Sequence, residues 1–354
     1  MEVTFSLPKI SHKQFSSNKY YLIDVRSPGE FKEFHIPGSI HLPLFTDDER
    51  KAIGTLYKQV CPDSAKKEGV AIFSKKLPAF YVEWQKLERV AEGRKAVVMC
   101  ARGGMRSATF VSMMQTLGIN AYQLSGGIRS FREEVRTQLN HFANLQWKGI
   151  VLSGNTGTGK TRWIRVLNDK GYPVLDLEGL ANHRGSIFGH IGLGSQSQKQ
   201  FEYDLVKTLE TYEQNGVVIL EAESKRIGSI IVPEFLLQLK NHSQHIEIKD
   251  SLDNRVKRII EDYHPDKHHD AFIAAFNHLK KRIPSSIRHI VSAAFEKKDY
   301  ELAFSQLLLH YYDPMYQYKR QKYTNENIDT LDISCYSNIE VLRLLENKVK
   351  EAIK

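Results

Sequence analysis

Apolar runs of four to six residues recur along the chain, and the stretches between them carry apolar residues at helical spacing. Residues 20–25 (Tyr-Tyr-Leu-Ile-Asp-Val) and 96–99 (Ala-Val-Val-Met) have the length and composition of buried strands. Residues 107–117 are helical in pattern and stop at Gly118, and residues 121–124 form a third run closed by Gly126-Gly127. Strand, helix, strand at this spacing predicts a parallel sheet. A second unit of the same kind has strands at 149–152, 172–177 and 217–220, with Gly-rich polar sequence from Gly179 to Gln200 between the last two. From about Asp250 the pattern is helical. Gln138 to Trp147 reads as the linker. The pattern thus divides the chain into an α/β domain over 1–138, a second α/β core over 139–250, and a mainly helical part over 251–354 that completes it.

The run at 149–152 leads directly into Gly154-Asn155-Thr156-Gly157-Thr158-Gly159-Lys160-Thr161, a phosphate loop without a gap. Its glycines let the backbone wrap an anion with N–H groups turned inward, and the helix that follows adds its positive end. Lys160 is expected on the terminal phosphate and Thr161 on Mg²⁺. Nucleotide binding is the default reading of such a loop. No guanine-reading Asn-Lys-x-Asp accompanies it. The run at 217–220 ends in Glu221-Ala222-Glu223, two carboxylates on one face where phosphate-loop folds place a Mg²⁺ ligand. His183 and Arg184 follow the second strand of this unit, where open α/β sheets bind ligands.

A second reactive loop lies upstream. Cys100-Ala101-Arg102-Gly103-Gly104-Met105-Arg106-Ser107 falls between a predicted strand and a predicted helix. Such a turn points N–H groups at the Cys100 sulfur and lowers its pKa, with Arg102 and Arg106 adding positive charge around Gly103 and Gly104. A thiolate so placed can hold a transferable chalcogen or attack phosphorus.

Charge and cysteine content narrow the class. The net charge of +9 over 354 residues points to an anionic partner, nucleic acid above all. Lys280, Lys281, Arg282 and Arg288 are the candidate nucleic-acid contacts, and the tyrosines at 311, 312, 316 and 318 are candidates to stack a base. Three scattered cysteines, Cys61, Cys100 and Cys335, make neither a disulfide framework nor a zinc pattern, and fit a reducing cytosol. The histidines at 264, 268 and 269 have no paired thiol, so no structural metal site is expected. The sequence shows no signal-peptide pattern and no membrane-spanning run, which predicts a cytoplasmic protein.

Asp24-Val25-Arg26-Ser27, Glu30-Phe31 and His35-Ile36-Pro37-Gly38-Ser39-Ile40-His41-Leu42-Pro43 resemble the front of a rhodanese domain, and Leu117-Gly118 through Ile128 its back. Many sulfur-transferring rhodanese loops run Cys-x4-Arg. Here Arg106 stands six positions after Cys100, which resembles the anion-cradling Cys-x5-Arg loop of cysteine phosphatases. The whole chain resembles the bacterial tRNA 2-selenouridine synthase family, through the stretches 54–58, 181–189, 198–202 and 311–316 as well as the two loops. Many relatives carry an aromatic residue where this chain has Ala101. The resemblance implies a rhodanese-like parallel-sheet domain followed by a P-loop NTPase-like domain. It also implies conversion of wobble 2-thiouridine to 2-selenouridine in tRNAs for Lys, Glu and Gln. The steps implied are S-geranylation with geranyl diphosphate, then exchange of geranyl-sulfur for selenium from selenophosphate. These are co-substrates; no tightly bound cofactor is expected, and Mg²⁺ is a candidate ion. The alternatives are an ATP-dependent tRNA sulfurtransferase with Cys100 as persulfide carrier, a redox-sensing RNA-binding switch, and a cysteine phosphatase.

Overall fold

The computed structural model describes residues 6–320 and 328–353. The chain divides into two compact units, Met1–Gln138 and Leu139–Lys354. The first contains β1 (Lys9–Ile10), β2 (Tyr20–Asp24), β3 (Ile40–His41), β4 (Lys95–Met99) and β5 (Ala121–Leu124). All are parallel, in the order β1-β5-β4-β2-β3. The central strands read as unbroken apolar runs because both faces of a parallel sheet are covered. One face packs Ile23 and Val98 against Phe110 and Met114 of helix Met105–Thr116 and against Phe73, Phe80 and Trp84 of the long helix Pro62–Val90. Asp24 and Arg26, both buried, form an ion pair at 2.6 Å just past the end of β2.

The second unit contains β6 (Lys148–Ser153), β7 (Val174–Leu175), β8 (Val217–Glu221), β9 (Arg226–Ile227), β10 (Ile230–Ile231), β11 (Gln244–Lys249) and β12 (Ile328–Asp332). Apart from the β9–β10 hairpin, the strands form one parallel sheet in the order β12-β11-β6-β8-β7. Beside it lies a helical layer with its own aromatic core of Phe188, Phe272, Phe276, Phe295 and Phe304.

Two readings of the sequence change, and a third gains a detail. The region from Gln138 to Trp147 is not an open linker, because helix Ile128–Ala143 runs into it. Phe142 is fully buried there, and its carbonyl accepts the Trp147 indole N–H at 2.9 Å. The strand expected over 172–177 stops at Leu175 because Asp176 caps helix Leu177–Ala181, accepting the Gly179 N–H at 2.7 Å. The C-terminal part is not only helical, since β12 returns to pair with β11 at the sheet edge. Among the described residues no helix is long and apolar enough to cross a membrane.

Candidate active site

In the first unit, Cys100 stands at the carboxyl end of β4 and is 3% exposed. The turn that follows is fixed from behind by the turn after β5. The Cys100 carbonyl accepts the Ile128 N–H at 2.9 Å, and the Ala101 carbonyl accepts that of Arg129 at 3.1 Å. Gly127 has φ +57° and lies so close that a Cβ would collide with the Cys100 carbonyl, so a side chain there would push the thiol loop out of place. The sulfur accepts the Gly104 N–H at 3.3 Å and lies 3.2 Å from the Ser107 hydroxyl. Gln123, buried in β5, donates to that hydroxyl oxygen at 3.0 Å and to the Gly103 carbonyl at 2.8 Å. With its oxygen so engaged, Ser107 can turn its proton toward the sulfur.

Burial alone would push the Cys100 thiol up. The bonds from Ser107 and the Arg102 N–H, with the charge of Arg106, outweigh it and hold the thiol below its ordinary value. A Ser107→Ala variant is therefore expected to move the midpoint of Cys100 alkylation, followed against pH, to higher pH. An unchanged midpoint would mean that the hydroxyl does not serve the sulfur.

Arg106 is less free than the sequence suggested. Its guanidinium makes a two-pronged pair with Glu30 at 2.6 and 3.1 Å. Burial raises the Glu30 carboxyl, but Arg106 more than reverses this and holds it at about 2. Arg106 is thus an already neutralised wall of the thiol loop, while Arg102 is exposed.

In the second unit, β6 leads through the loop 154–161 into helix Lys160–Asp169. Gly154, Gly157 and Gly159 all have positive φ, at +143°, +83° and +84°. The Lys160 ammonium folds back onto its own loop, donating to the Gly154 and Asn155 carbonyls at 3.0 and 3.3 Å, and lies 5.7 Å from the Tyr316 ring centre. Helix Leu252–Tyr263 braces the loop. Arg255 donates to the Thr156 carbonyl at 2.9 Å and pairs with Asp313, while Arg258 bonds the Gly157 carbonyl and pairs with Asp250. Thr158 is buried and turned into the loop, its hydroxyl donating to the Asn155 carbonyl at 2.9 Å.

Thr161 donates to Glu178 at 2.8 Å, and Glu178, Glu221 and Glu223 bring carboxylate oxygens within 4.8 Å of one another. Glu221 is fully buried, and among the described residues neither of its oxygens has a hydrogen-bond partner. Burial and the neighbouring carboxylates push Glu178 up to about 8 and Glu221 well above its usual range. Glu178 was not found from the sequence. It lies just past β7, and the strand predicted through 177 hid the acidic turn that begins there. Buried carboxylates without partners are uncompensated unless protonated or met by a cation. A set of carboxylate and hydroxyl oxygens suits a hard divalent cation such as Mg²⁺.

This cluster makes stability depend on pH. Glu178 and Glu221 bind protons more tightly in the folded chain than in the unfolded one. Stability should therefore fall as pH rises from the ordinary carboxylate range toward about 8, and level off above it. Millimolar Mg²⁺ should oppose the fall and raise the melting temperature more at about pH 8 than at about pH 6. An equal shift at both pH values, or one kept in Glu221→Gln, would place the cation elsewhere.

Of the other candidates, Arg184 stacks over the Tyr263 ring at 4.7 Å and donates to the Ile191 carbonyl at 2.9 Å. Burial, with His190 and Arg184 nearby, pushes His183 down, and its buried Nδ1 has no partner among the described residues. Lys280, Lys281 and Arg282 form one turn, with Lys281 and Arg282 exposed and Lys280 over the Phe276 ring at 5.6 Å. Arg288 turns inward to the Ile283 carbonyl at 3.2 Å. His269 lies 3.0 Å from the Tyr300 hydroxyl, as a packing residue would. Tyr312 is buried, Tyr311 packs edge-on to it, and the Tyr318 side chain lies outside the described residues.

Hidden from the sequence pattern was a small apolar cavity of about 20 Å³ beside the phosphate loop. Thr156 forms part of its wall, with Ser186, Tyr263 and Tyr312. Phe188, Ile259, Phe272, Phe304, Leu307 and Leu308 supply the rest. A π-helical turn over Leu308–Tyr312 carries two of these residues. Such turns interrupt α-helices mostly at functional sites.

A buried cysteine at the carboxyl end of a central parallel strand, followed in the same chain by a braced phosphate loop, defines a rhodanese-like domain joined to a P-loop domain. Residues 8–134 match the rhodanese-like domain family, and residues 147–335 match the tRNA 2-selenouridine synthase AAA domain. The tRNA 2-selenouridine synthase of Nitrosomonas europaea is 36% identical over 68% of this chain and 63% of that one. That of Pseudomonas syringae pv. syringae is 32% identical over 86% of this chain and 89% of that one. A crystallised rhodanese-related protein from Thermoplasma volcanium is 28% identical, covering 36% of this chain and 92% of that one, with a TM-score of 0.22. The chain belongs to the tRNA 2-selenouridine synthase family, and it is an enzyme of the transferase class.

Proposed function

We propose that this enzyme converts wobble 2-thiouridine of tRNA to 2-selenouridine in the cytosol, by S-geranylation with geranyl diphosphate and then exchange of geranyl-sulfur for selenium from selenophosphate. The relatives' name, tRNA 2-selenouridine synthase, supports the product. The observation that carries the first step is the apolar surface that meets Thr156 of the phosphate loop. A nucleotide puts a polar base and ribose beyond its phosphates, whereas an allylic diphosphate puts hydrocarbon there. In the first step the thiouridine sulfur attacks the allylic carbon, the carbon–oxygen bond to diphosphate breaks, and the N3 proton is lost. Lys160 and the loop N–H groups hold the charge that develops on the leaving diphosphate. A divalent cation bound by Glu178, Glu221, Glu223 and Thr161 would supply further charge neutralisation there.

Selenophosphate carries selenium already at the selenide level, so the second step needs no oxidant. The Cys100 thiolate attacks phosphorus, a sulfur–phosphorus bond forms and the phosphorus–selenium bond breaks. The released selenide adds at C2 of the nucleoside and geranylthiol leaves. Water then frees Cys100 from phosphate. The low thiol pKa and the surrounding donors support this role.

The test is nucleoside mass spectrometry on a 2-thiouridine anticodon stem-loop of a Lys, Glu or Gln tRNA. The stem-loop is incubated with protein, geranyl diphosphate and selenophosphate, each omitted in turn. A geranylated nucleoside without selenophosphate, and selenouridine with both, are expected. No product in any of these mixtures, with product from ATP and a persulfide donor instead, would overturn the reading in favour of a sulfurtransferase.

A further inference from the structure

The sheet of the second unit carries its reactive residues just past the carboxyl ends of β6, β7 and β8, and two further segments border that end. One is the loop from Gly179 to Gln200, which follows Glu178 in the chain. The other is the β9–β10 hairpin, which follows Glu223. Residues 179–200 and 224–233 hold Arg184, Lys199, Lys225 and Arg226 without one Asp or Glu, in a chain that has 41 of them. The two segments touch. Gly228, at the hairpin turn with φ +59°, lies so near His183 that a Cβ there would stand 2.6 Å from the ring. Two residues further along the loop, a Cβ at Gly185 would collide with the Glu178 carboxylate and stand 3.0 Å from that of Glu223. Hairpin turn, His183 loop and carboxylate cluster are thus contiguous.

The hairpin is fixed from within and charged outside. Ile227 and Ile230 are buried. The Gln198 side chain clamps the Ile231 backbone, donating to its carbonyl at 3.0 Å and accepting its N–H at 2.8 Å. Lys225 and Arg226 are exposed, and neither side chain pairs with another described residue. Cations on a ribbon already held rigid cost little ordering when they meet an anion. The basic turn at Lys280–Arg282 and its neighbour Arg288 are less available, since Lys280 lies over Phe276 and Arg288 bonds the Ile283 carbonyl.

We propose that the β9–β10 hairpin clamps the phosphates of the anticodon loop, with Lys225 and Arg226 as the contacts. The assignment rests on the reading that the acceptor is a 2-thiouridine in an RNA stem-loop. Such a base leaves its stack to reach residues at the strand ends, and the phosphates on either side of it stay at the rim of the site. Lys225 stands two residues from Glu223, no more than about 7 Å along an extended chain. A phosphate held there keeps its nucleoside within reach of the cluster. Contacts of this kind set register and orientation without reading sequence.

The experiment titrates the full-length protein with a fluorescent 2-thiouridine anticodon stem-loop at several salt concentrations, reading anisotropy, and follows modification of the same RNA. Lys225→Gln combined with Arg226→Gln should weaken binding about tenfold or more at about 0.1 M salt. It should also reduce the slope of log Kd against log salt by about 1.5. In turnover the loss should fall on KM for the stem-loop rather than on kcat. Lys297→Gln combined with Lys298→Gln removes the same charge from an exposed turn after helix Ser285–Glu296 and should leave the slope near that of wild type. All four side chains are exposed, and an unchanged melting transition confirms that each variant is folded. A wild-type slope in the hairpin variant, or equal losses in both variants, would overturn the hairpin as the contact while leaving the proposed reaction in place. A wild-type protein that neither binds nor modifies the stem-loop would instead overturn the reading of the acceptor, and the hairpin's role with it.

Discussion

With Cys100 replaced by Ser, the S-geranyl nucleoside should accumulate and selenouridine should fall by on the order of 10³-fold or more. Serine is close to isosteric, and its hydroxyl finds the partners that the sulfur has now, the Gly104 N–H and the Ser107 hydroxyl. The fold of the first unit therefore survives the change. What is lost is ionisation, because an alcohol in this loop stays protonated where the thiol is held low by Ser107, Arg102 and Arg106. A time course of both nucleosides separates the two steps. Selenation at the wild-type rate would reduce the thiol loop to a structural element.

Lys160→Ala should give the opposite pattern, a geranylation rate lower by about 10²–10³-fold, with normal selenation of a stem-loop supplied already geranylated. Lys160 is the one loop cation folded over the Gly154 and Asn155 carbonyls, where an incoming phosphate would displace them. It is flanked by Glu178, Glu221 and Glu223, which keep it protonated against the cost of burial. Removing it leaves these carboxylates with less compensation, so weaker diphosphate binding is expected as well as slower transfer. If the variant lost both steps equally, the phosphate loop would belong to the selenophosphate reaction too.

The two reactive loops were legible in the sequence because each is contiguous: a strand, a glycine-rich turn, a helix start. The strand at Ala121–Leu124 was legible from its place between the helix that stops at Gly118 and the pair Gly126-Gly127. What was hidden depends on distant residues meeting. Glu30 lies 76 positions from Arg106, and nothing local shows that the arginine is spent on it. Glu178 is an ordinary acidic residue in a short helix until β8 places Glu221 beside it. The cavity draws on Thr156, Phe188, Phe272 and Phe304, four positions whose separate neighbourhoods read as two loops and two helical faces. β11 alternates polar and apolar residues, with His245 buried against the Lys240 carbonyl at 2.9 Å, so it lacked the continuous run that marked its neighbours. The stretch around Phe142 read as a linker because its apolar residues alternate with Asn, His and Gln, and only the packing shows that Phe142 is buried.

The place of β12 has a consequence for how the chain is made. It pairs with β11 along five residues, and the helix Asn338–Ile353 after it puts Leu345 and Val349 into the same core as Ile150 and Leu152. Lys148, at the start of β6, bonds the carbonyl of Ile353, 205 positions later. The first unit has all five of its strands before residue 125 and can close while translation continues. The second cannot, since its sheet waits for β12 and the helix that follows it. Through that interval the growing chain presents β11 as an open edge and the glutamate cluster without its finished surroundings. Long-range closure of this kind is slow, and an open strand edge invites pairing with other chains. The half of the enzyme that holds the phosphate loop is therefore the half more open to mispairing during synthesis.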